Sequence, residues 1–431
     1  MPSIASRGVS RRAFVKAAVA IGGAAALAAC QTRESPDLPT GPDSLERLPD
    51  RQHAWNDVLA RDDHGNVLVP RHRVLLLLEY DGSGTPTGPE RETVEAALSG
   101  LESAYPRSNE GLLVTVSYSR AYFDRFEAAL PESVDLPAPA AMAPFEDPAF
   151  DTPDAVVHLA SDYGSVVLGA EETLRGERDA LNGVAVEDSL SEVFSVADRR
   201  TGFVGAGLPA DNQDVAGVPE GDHVPEESPM YMGFKSGFEK NQASEDFVTI
   251  GDGPFAGGTT QHLSLLRLHL DQWYEQDSRY HRVATMFCPA HAEEGAVDGV
   301  GENLGDTSEM TERGCPAHTT EDAHEHGVVG HSQKSARARA EDSPLMIRRD
   351  FDSTDDERAT LHFLSLQETI ADFRETREAM NGVDVAADTP VGQRQNNGIL
   401  QYLSVERRGN YLLPPRRHRA LPTPRPVEVS A

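Results

Sequence analysis

The order of strands and helices limits what this chain can fold into more than any other feature of its sequence. After Arg73, apolar runs of strand length alternate with stretches of helical period. The predicted elements are a strand over 74–78, a helix from Pro89 to Tyr105, strands over 112–118 and 155–160, a helix over 166–181 and a hairpin-like extended stretch over 192–204. This βαββαβ order is that of a ferredoxin-like domain.

The second half of the chain repeats the pattern less regularly. Its predicted elements are a strand with a bulge over 262–270, a strand over 359–366, a helix over 368–380 that ends at Asn381-Gly382, and a strand over 399–405. Residues 211–229, rich in Gly, Pro, Asp and Glu, indicate a linker, and residues 274–328 lack a sustained period, as a long loop or insertion does. We predict an α+β fold of two ferredoxin-like domains with antiparallel sheets, over 73–210 and 230–420, followed by a tail over 421–431.

The first 30 residues have the features of a cleaved export signal. Arg11-Arg12 precedes an apolar run over 17–29, and twin arginines in this frame predict export by the Tat translocon. The run is too short for a membrane span, which needs about 20 apolar residues. It ends in Leu27-Ala28-Ala29-Cys30, which is similar to a lipobox. We therefore expect a lipid on Cys30 and anchoring to the outer face of the cytoplasmic membrane; plain cleavage beside an incidental cysteine is the alternative.

The charge balance predicts an acidic, halophilic surface. The 431 residues include 70 Asp and Glu against 39 Lys and Arg, a net charge of −31, and lysine stands only at Lys16, Lys235, Lys240 and Lys334. At high salt, screening relieves the repulsion within such a surface, whereas an acidic mesophilic protein is the alternative. The charge excludes nucleic acid as a partner. Residues 31–72, with Pro, Asp and Ser at their start, are expected to form a flexible stalk.

Short blocks in the second half resemble those of the dye-decolourising haem peroxidases. The blocks are Gly233-Phe234-Lys235-Ser236-Gly237 followed by Asn241, Gly257-Gly258-Thr259-Thr260, Ile347-Arg348-Arg349, and His331, which lies seventeen residues before Arg348. The chain is identified as a divergent, Tat-exported and haloarchaeal-like member of that family. The resemblance implies the dimeric α+β barrel type of fold, a bound haem b, hydrogen peroxide as oxidant and an unidentified reductant, and it allows a homo-oligomer.

The resemblance also implies roles for individual residues. His331 is the expected ligand of the haem iron, and Gly233, Phe234 and Gly237 belong to the loop that borders the cofactor. Arg348 is suited to stabilising negative charge on peroxide, because a guanidinium stays charged when it is partly buried. The alternatives are an ordinary loop histidine at position 331 and a structural ion pair at position 348.

Ser236 departs from the family, which usually has an aspartate at this position of the loop. A serine hydroxyl can orient peroxide but is too weak a base to move its proton without help. Three interpretations follow: Arg348 and a water suffice at a reduced rate, a nearby acid such as Glu239 or Asp246 substitutes, or the protein binds haem for another purpose. The alternative function is therefore a non-catalytic haem- or metal-binding surface lipoprotein, in which Ser236 is only a turn residue.

A second group of residues lies inside the predicted insertion. Cys288-Pro289-Ala290-His291 recurs as Cys315-Pro316-Ala317-His318. Two Cys-x-x-His units suit a site for zinc or copper made of Cys288, His291, Cys315 and His318. In an oxidising exterior the two cysteines more often pair as a disulfide, and free thiols are the third alternative.

Overall fold

A computed structural model describes residues 36–340 and 343–426, and three strands of its N-terminal half, over 72–80, 113–119 and 155–161, are buried on both faces. Their continuous apolar runs fit that position, because helices or other chain cover each side of the sheet. The elements of this half are β1 (Ala60–Arg61), β2 (Val67–Leu68), β3 (His72–Tyr80), α1 (Gly88–Ala104), β4 (Leu113–Ser119), α2 (Arg120–Phe123), β5 (Ala149–Phe150), β6 (Ala155–Ser161), α3 (Gly164–Leu174), β7 (Ala180–Leu181), β8 (Val184–Ala185), β9 (Phe194–Phe203) and α4 (Leu208–Asp211).

The C-terminal half combines long strands with many short helices. Its elements are β10 (Thr259–Leu268), α5 (Arg279–Met286), α6 (Pro289–Glu293), α7 (Thr319–Glu325), α8 (His331–Ser335), β11 (Arg339–Ala340), β12 (Ser343–Pro344), β13 (Ile347–Arg348), β14 (Phe351–Ser353), β15 (Thr360–Gln367), α9 (Ile370–Asn381), α10 (Val383–Ala387) and β16 (Leu403–Leu413). Gln272–Gln276 forms a π-helical turn. Single 3₁₀ turns occupy Leu45–Arg47, Leu190–Glu192, Glu239–Asn241, Glu302–Leu304, Cys315–His318, Asp355–Glu357, Leu400–Tyr402 and Arg416–His418.

The strands of both halves close into one barrel. The first half contributes the order β9-β3-β6-β4 and the second half the order β14-β15-β10-β16, and both are antiparallel. The seams are a pairing of Asp352 with Phe203 on one side and of Leu412 with Tyr118 on the other. These are the strand orders of two ferredoxin-like units, so the predicted α+β fold is confirmed.

Helix signals in the sequence match the observed helix ends. Thr87 caps α1 by accepting from the backbone N–H of Glu90, whose carboxylate accepts from the N–H of Thr87. The apolar stripe of α1, which includes Leu98 and Leu101, then packs on the sheet. At its other end, α9 stops at Gly382, whose φ of +56° is a left-handed conformation that favours glycine.

Two predicted elements of the first half differ from the structure. The helix expected over 166–181 ends at Leu174, because Gly176 has a positive φ of +72° that a helix does not continue through. Beyond it, β7 and β8 form a small hairpin around Asn182-Gly183, both with positive φ, which is the signature of a tight two-residue turn. The hairpin-like stretch expected over 192–204 is the single long strand β9.

The flexible stalk predicted over 31–72 is wrong for its described part, residues 36–72. Trp55 is fully buried, and the guanidinium of Arg349 stacks on its ring with a distance of 4.0 Å to the ring centroid. The Arg349 side chain also donates to the backbone carbonyl of His53, at 2.6 Å. These contacts join the segment to the C-terminal half, so it is part of the folded domain.

The predicted insertion over 274–328 is not a structureless loop. It holds α5, α6 and α7, and its buried side chains, among them Val283, Phe287 and Met310, belong to the core of the C-terminal half. Each of these helices has eight residues or fewer, which explains why no helical period is visible in the sequence.

Candidate functional site

His331 is the first residue of α8, and close backbone contacts hold it there. A Cβ at Gly330 would lie 1.6 Å from the carbonyl oxygen of Phe287, and a Cβ at Gly398 would lie 3.0 Å from the backbone N and Cα of His331. Both neighbours must therefore be glycine. The side chain of Gln333 accepts a hydrogen bond from the Gly330 N–H at 2.9 Å and closes the first turn of the helix.

His331 lines a mainly apolar cavity. Burial lowers the pKa of His331 to about 3, and the positive charges of Arg348, Lys334 and Arg377 act in the same direction. The ring is therefore neutral at physiological pH and keeps a lone pair available for a metal.

Arg348 lines the same cavity from strand β13. Its backbone N–H donates to the side-chain oxygen of Gln242 at 2.9 Å, and the Gln242 amide donates back to the Arg348 carbonyl at 3.4 Å. Strand pairing of Arg348 with Ser365 adds a second restraint. The structure thus brings Arg348 and His331, which the sequence singled out, to one cavity.

The predicted glycine-framed loop forms part of the wall of this cavity. Gly233 and Gly237 have φ values of +79° and +77°, and a side chain on Gly233 would also meet the Tyr274 hydroxyl at 2.9 Å. Phe234 is buried between Trp273 and Phe287, at ring-centroid distances of 6.2 and 5.4 Å. The two glycines therefore allow the turns, while Phe234 supplies apolar surface.

Ser236 lies where the inner cavity meets a second, outer one. The inner cavity has a volume of about 210 Å³ and the outer one about 480 Å³. Four residues line both: Met230, Ser236, Arg348 and Asp350. The outer cavity lies between the glycine-framed loop and the N-terminal segment around Arg51 and Asp57.

The two acids proposed as substitutes line only the outer cavity. Glu239 forms an ion pair with Arg61 at 3.4 Å, and Asp246, which is largely exposed, pairs with Arg51. Neither carboxylate lines the cavity that His331 faces.

Asp350 is the site residue that the sequence analysis missed. It follows Arg348 by two residues, and in extended chain that spacing puts both side chains on one face. Its carboxylate accepts from the Leu364 N–H at 3.1 Å. Burial raises the pKa of Asp350 to about 6, against the opposing effects of Arg348 and Arg73. The alternation of side chains along an extended segment around Arg348 was the signal in the sequence that could have identified Asp350. Because β13 has only two residues, no strand period is visible there.

The rest of the inner cavity is apolar, with arginines at intervals. Its apolar lining includes Met232, Phe238, Leu266, Phe287, Leu345, Phe363, Phe373 and Val405. Arg339, Arg377 and Arg408 add positive charge. The carboxylate of Glu146 binds two of them, Arg377 at 2.6 Å and Arg408 at 2.9 Å.

Cys288 and Cys315 form a disulfide beside the helix that carries His331. The Nδ1 of His291 lies 3.1 Å from the Cys288 sulfur, so these three residues form a compact buried group that could hold a metal. His318 does not join them, because it is exposed and pairs with Glu321 at 2.8 Å. The amide of Gln333 donates to the Cys315 carbonyl at 2.9 Å, which ties the disulfide to α8.

The export and lipidation signals, including Cys30, lie outside the described residues. Within residues 36–340 and 343–426, no helix has the length and apolar character required to cross a bilayer.

Comparisons with known proteins agree with this fold. A family of unknown function (DUF7405) matches residues 70–415, and a search of curated proteins finds no match. Among solved structures, a DyP-type peroxidase from Cellulomonas bogoriensis superposes with a TM-score of 0.53 at 18% identity, covering 84% of this chain and 96% of that one.

Two further solved structures show the same likeness. A DypB variant of Rhodococcus jostii in complex with haem has a TM-score of 0.51 at 11% identity, covering 85% of this chain and 96% of that one. The encapsulated DyP-type peroxidase of Mycobacterium smegmatis has a TM-score of 0.51 at 13% identity, covering 84% and 97%. At these identities the likeness shows that the chain has the fold of these proteins.

Proposed function

Because the chain belongs to the family of unknown function DUF7405, whose description assigns no activity, we propose its function from the cavity itself: a haem-dependent, peroxidase-like oxidoreductase. The observation that carries this proposal is that a neutral His331 and the positively charged Arg348 line one mainly apolar cavity. The fold shared with haem peroxidases supports it.

The residues of the inner cavity fit a haem b. An imidazole with a lowered pKa would be a suitable iron ligand, and the surrounding aromatic and aliphatic side chains would suit the apolar surface of a macrocycle. Arg339, Arg377 and Arg408 supply positive charge for the carboxylates that such a group carries. In a protein of net charge −31, this gathering of arginines around an apolar cavity favours an anionic, planar ligand.

A bound haem would supply the iron that binds peroxide and the electrons that reduce it. His331 would hold the metal through its ring lone pair, and the close backbone contacts at Gly330 and Gly398 fix the position of this residue at the start of α8. Arg348 stabilises negative charge on the peroxide as the O–O bond breaks, and Ser236 can orient its hydroxyl. The mainly apolar lining lowers the local polarity, which strengthens these electrostatic effects.

The test is an absorption spectrum of haem-supplied protein. We expect a Soret band in the wild type, its loss in His331→Ala, and its retention in His324→Ala, a control that removes an exposed histidine from α7. Peroxide-dependent oxidation of a dye should fall by about 10²-fold or more in Arg348→Ala, which removes the charge that the transition state needs. A wild type without any Soret band after haem supply would refute the proposal.

A non-catalytic haem or metal carrier is the second candidate, favoured by the serine at position 236. Ser236→Asp separates the two functions. If the wild type binds haem, does not turn over peroxide and stays inactive in Ser236→Asp, the protein is a carrier. Turnover by the wild type, or its appearance in the variant, shows a scaffold competent for peroxide chemistry.

Export by Tat and lipid attachment at Cys30 remain part of the proposal, on the strength of the twin arginines and the lipobox-like ending. Expression in a Tat-competent host should give a membrane-bound mature form whose N-terminal cysteine carries lipid. Cys30→Ala should release it, and replacement of Arg11 and Arg12 by lysine should retain the precursor inside the cell. Membrane attachment unchanged in Cys30→Ala would contradict lipid anchoring.

Zinc or copper at Cys288, His291 and Cys315 is an alternative use of the paired cysteines. Since the disulfide occupies both sulfurs, metal binding requires their reduction. A stoichiometric zinc or copper signal in reduced protein, lost in Cys288→Ser, would support it, and metal-free reduced protein would exclude it.

A further inference from the structure

The carboxylate of Asp350 stands at the junction of the two cavities, beside the residues best placed to hold peroxide. Among the residues that line these cavities, it is the one carboxylate common to both, and it shares the junction with Arg348 and Ser236. The junction therefore brings a carboxylate, a guanidinium and a hydroxyl together at the border of the cavity that His331 lines.

The other acids near the junction are each held by other partners or lie further out. Asp352 also has one backbone donor, the Tyr231 N–H at 2.6 Å, but it lines only the inner cavity, so its position and not its hydrogen bonding separates it from Asp350. Glu245 lines only the outer cavity and accepts from the N–H groups of Trp55 and Asn56, at 2.6 and 2.9 Å. Asp350 has one backbone donor, the Leu364 N–H, which leaves carboxylate lone pairs for a ligand.

We infer that Asp350 is the proton-transfer group of this site and takes the role that the serine at position 236 cannot perform; the inference rests on the proposed function. The Asp350 carboxylate accepts the proton from one oxygen of hydrogen peroxide and returns it to the other. The O–O bond then breaks, and the second oxygen leaves as water with both protons. A bound haem would supply the two electrons for this cleavage and take the first oxygen, and two electrons from the reductant with two protons would then release that oxygen as a second water.

The charges around Asp350 suit a group that gains and loses a proton. Burial raises its pKa to about 6, while Arg348 on the same segment and Arg73 on β3 act to lower it. Asp352, whose own pKa burial raises well above the ordinary value, lies two residues further on, and His362 lies on the neighbouring strand β15. A carboxyl poised in this range can act as base and then as acid near neutral pH.

The first test is the rate at which haem-loaded protein reacts with hydrogen peroxide, followed by the Soret change in stopped flow. Asp350→Asn keeps the shape and the acceptor for the Leu364 N–H, and should slow the reaction by about 10²-fold or more. The matched control, Asp246→Asn on the outer cavity, should react like the wild type. In the wild type the rate should rise with pH through about 6, as Asp350 loses its proton, and this rise should disappear in Asp350→Asn.

The outcomes separate this inference from the proposed function. If the wild type shows a Soret band and reacts with peroxide, but Asp350→Asn reacts equally fast, the inference is wrong and the proposed function stands. If Asp246→Asn is slowed as much as Asp350→Asn, the effect comes from the charge of the outer cavity and the inference is also wrong. A wild type that binds no haem refutes both.

The second test needs no haem. In infrared difference spectra of haem-free protein, the C=O stretch of a protonated carboxyl should titrate near pH 6 and be lost in Asp350→Asn. An unchanged titrating band in the variant would assign the proton to another group. Finally, Ser236→Asp added to Asp350→Asn should recover part of the peroxide rate, because it returns a carboxylate to the same junction; a double variant as slow as Asp350→Asn would contradict the shared role.

Discussion

The two halves of the barrel are built on the same strand order but cover their sheets differently. In the N-terminal half, the 17-residue helix α1 follows β3 and packs an apolar stripe on the sheet. In the C-terminal half, the chain after β10 breaks into α5, α6, α7 and α8, none longer than eight residues. One long helix fills the space above its sheet in the first half, whereas in the second half α5, α8 and the 12-residue helix α9 line a cavity.

The difference shows how two units with the same strand order can serve different purposes. The N-terminal unit contributes mainly to stability, whereas the C-terminal unit contains the candidate site. The sheet residues beneath α1, such as Leu76 and Val157, belong to a closely packed core. Their counterparts in the second half, Leu266 and Phe363, line the inner cavity. In the second half, buried ion pairs and hydrogen bonds stabilise the wall of the inner cavity, because side chains that border the cavity make few apolar contacts.

The largest effect is expected from breaking the buried charge group of the cavity wall. Glu146 lies between Arg377 and Arg408 with all three side chains nearly inaccessible, so Glu146→Gln should lower the free energy of unfolding by about 3–5 kcal/mol. Asp124→Asn, which breaks the exposed pair with Arg120, should change it by less than about 1 kcal/mol. Urea unfolding of both variants measures this.

The buried group of Glu146, Arg377 and Arg408 also makes the stability of the protein depend on pH, and the direction of this dependence follows from the pKa of Glu146. Burial opposes ionisation, yet Arg377 and Arg408 hold the pKa of Glu146 below its ordinary value. The stabilisation is therefore present at neutral pH and is lost as the pH falls through that lowered pKa. A wild type and a Glu146→Gln variant with parallel acid-unfolding curves would show that the group does not support the wall.

A smaller change in the free energy of unfolding should distinguish the closely packed N-terminal half from the C-terminal half, which contains the inner cavity. Leu98 on α1 is surrounded by core, so Leu98→Ala should cost about 3 kcal/mol of unfolding free energy. Leu266 already borders empty space, so Leu266→Ala in haem-free protein should cost less than half of that. Equal losses at the two positions would contradict the comparison.

The sequence predicted most of the barrel because its signals there are local. The apolar run in β3, the capping residues of α1 and α9 and the βαββαβ order are each visible within a few residues. The N-terminal segment was mistaken for a stalk because its buried apolar residues, such as Trp55 and Leu59, are few and follow no regular period. The partner of Trp55, Arg349, is almost 300 positions away, and no local period reports such a contact.

The candidate site was predicted unevenly for a related reason. His331 and Arg348 emerged from their spacing within a family resemblance, and the structure places both on one cavity. Asp350 was not predicted, because the family resemblance indicates an aspartate at position 236, and Asp350 lies on a different element of the chain. The cavity itself depends on how α5, α8 and α9 pack on the sheet, which sequence periodicity does not reveal.

The smallest expected effect comes from substituting a glycine that contacts α8, compared with substituting a glycine at the start of α1. Because a Cβ at Gly398 would press on the backbone of His331 at a φ of +61°, Gly398→Ala should destabilise the protein by about 1–3 kcal/mol and shift the Soret band of the haem-loaded form. A Cβ at Gly88, at the start of α1, would meet no neighbouring atom within 4 Å, so Gly88→Ala should leave both quantities nearly unchanged. A Soret band of Gly398→Ala identical to that of the wild type would mean that this contact does not direct the His331 ring, and that α8 is oriented by Gln333 and the disulfide instead.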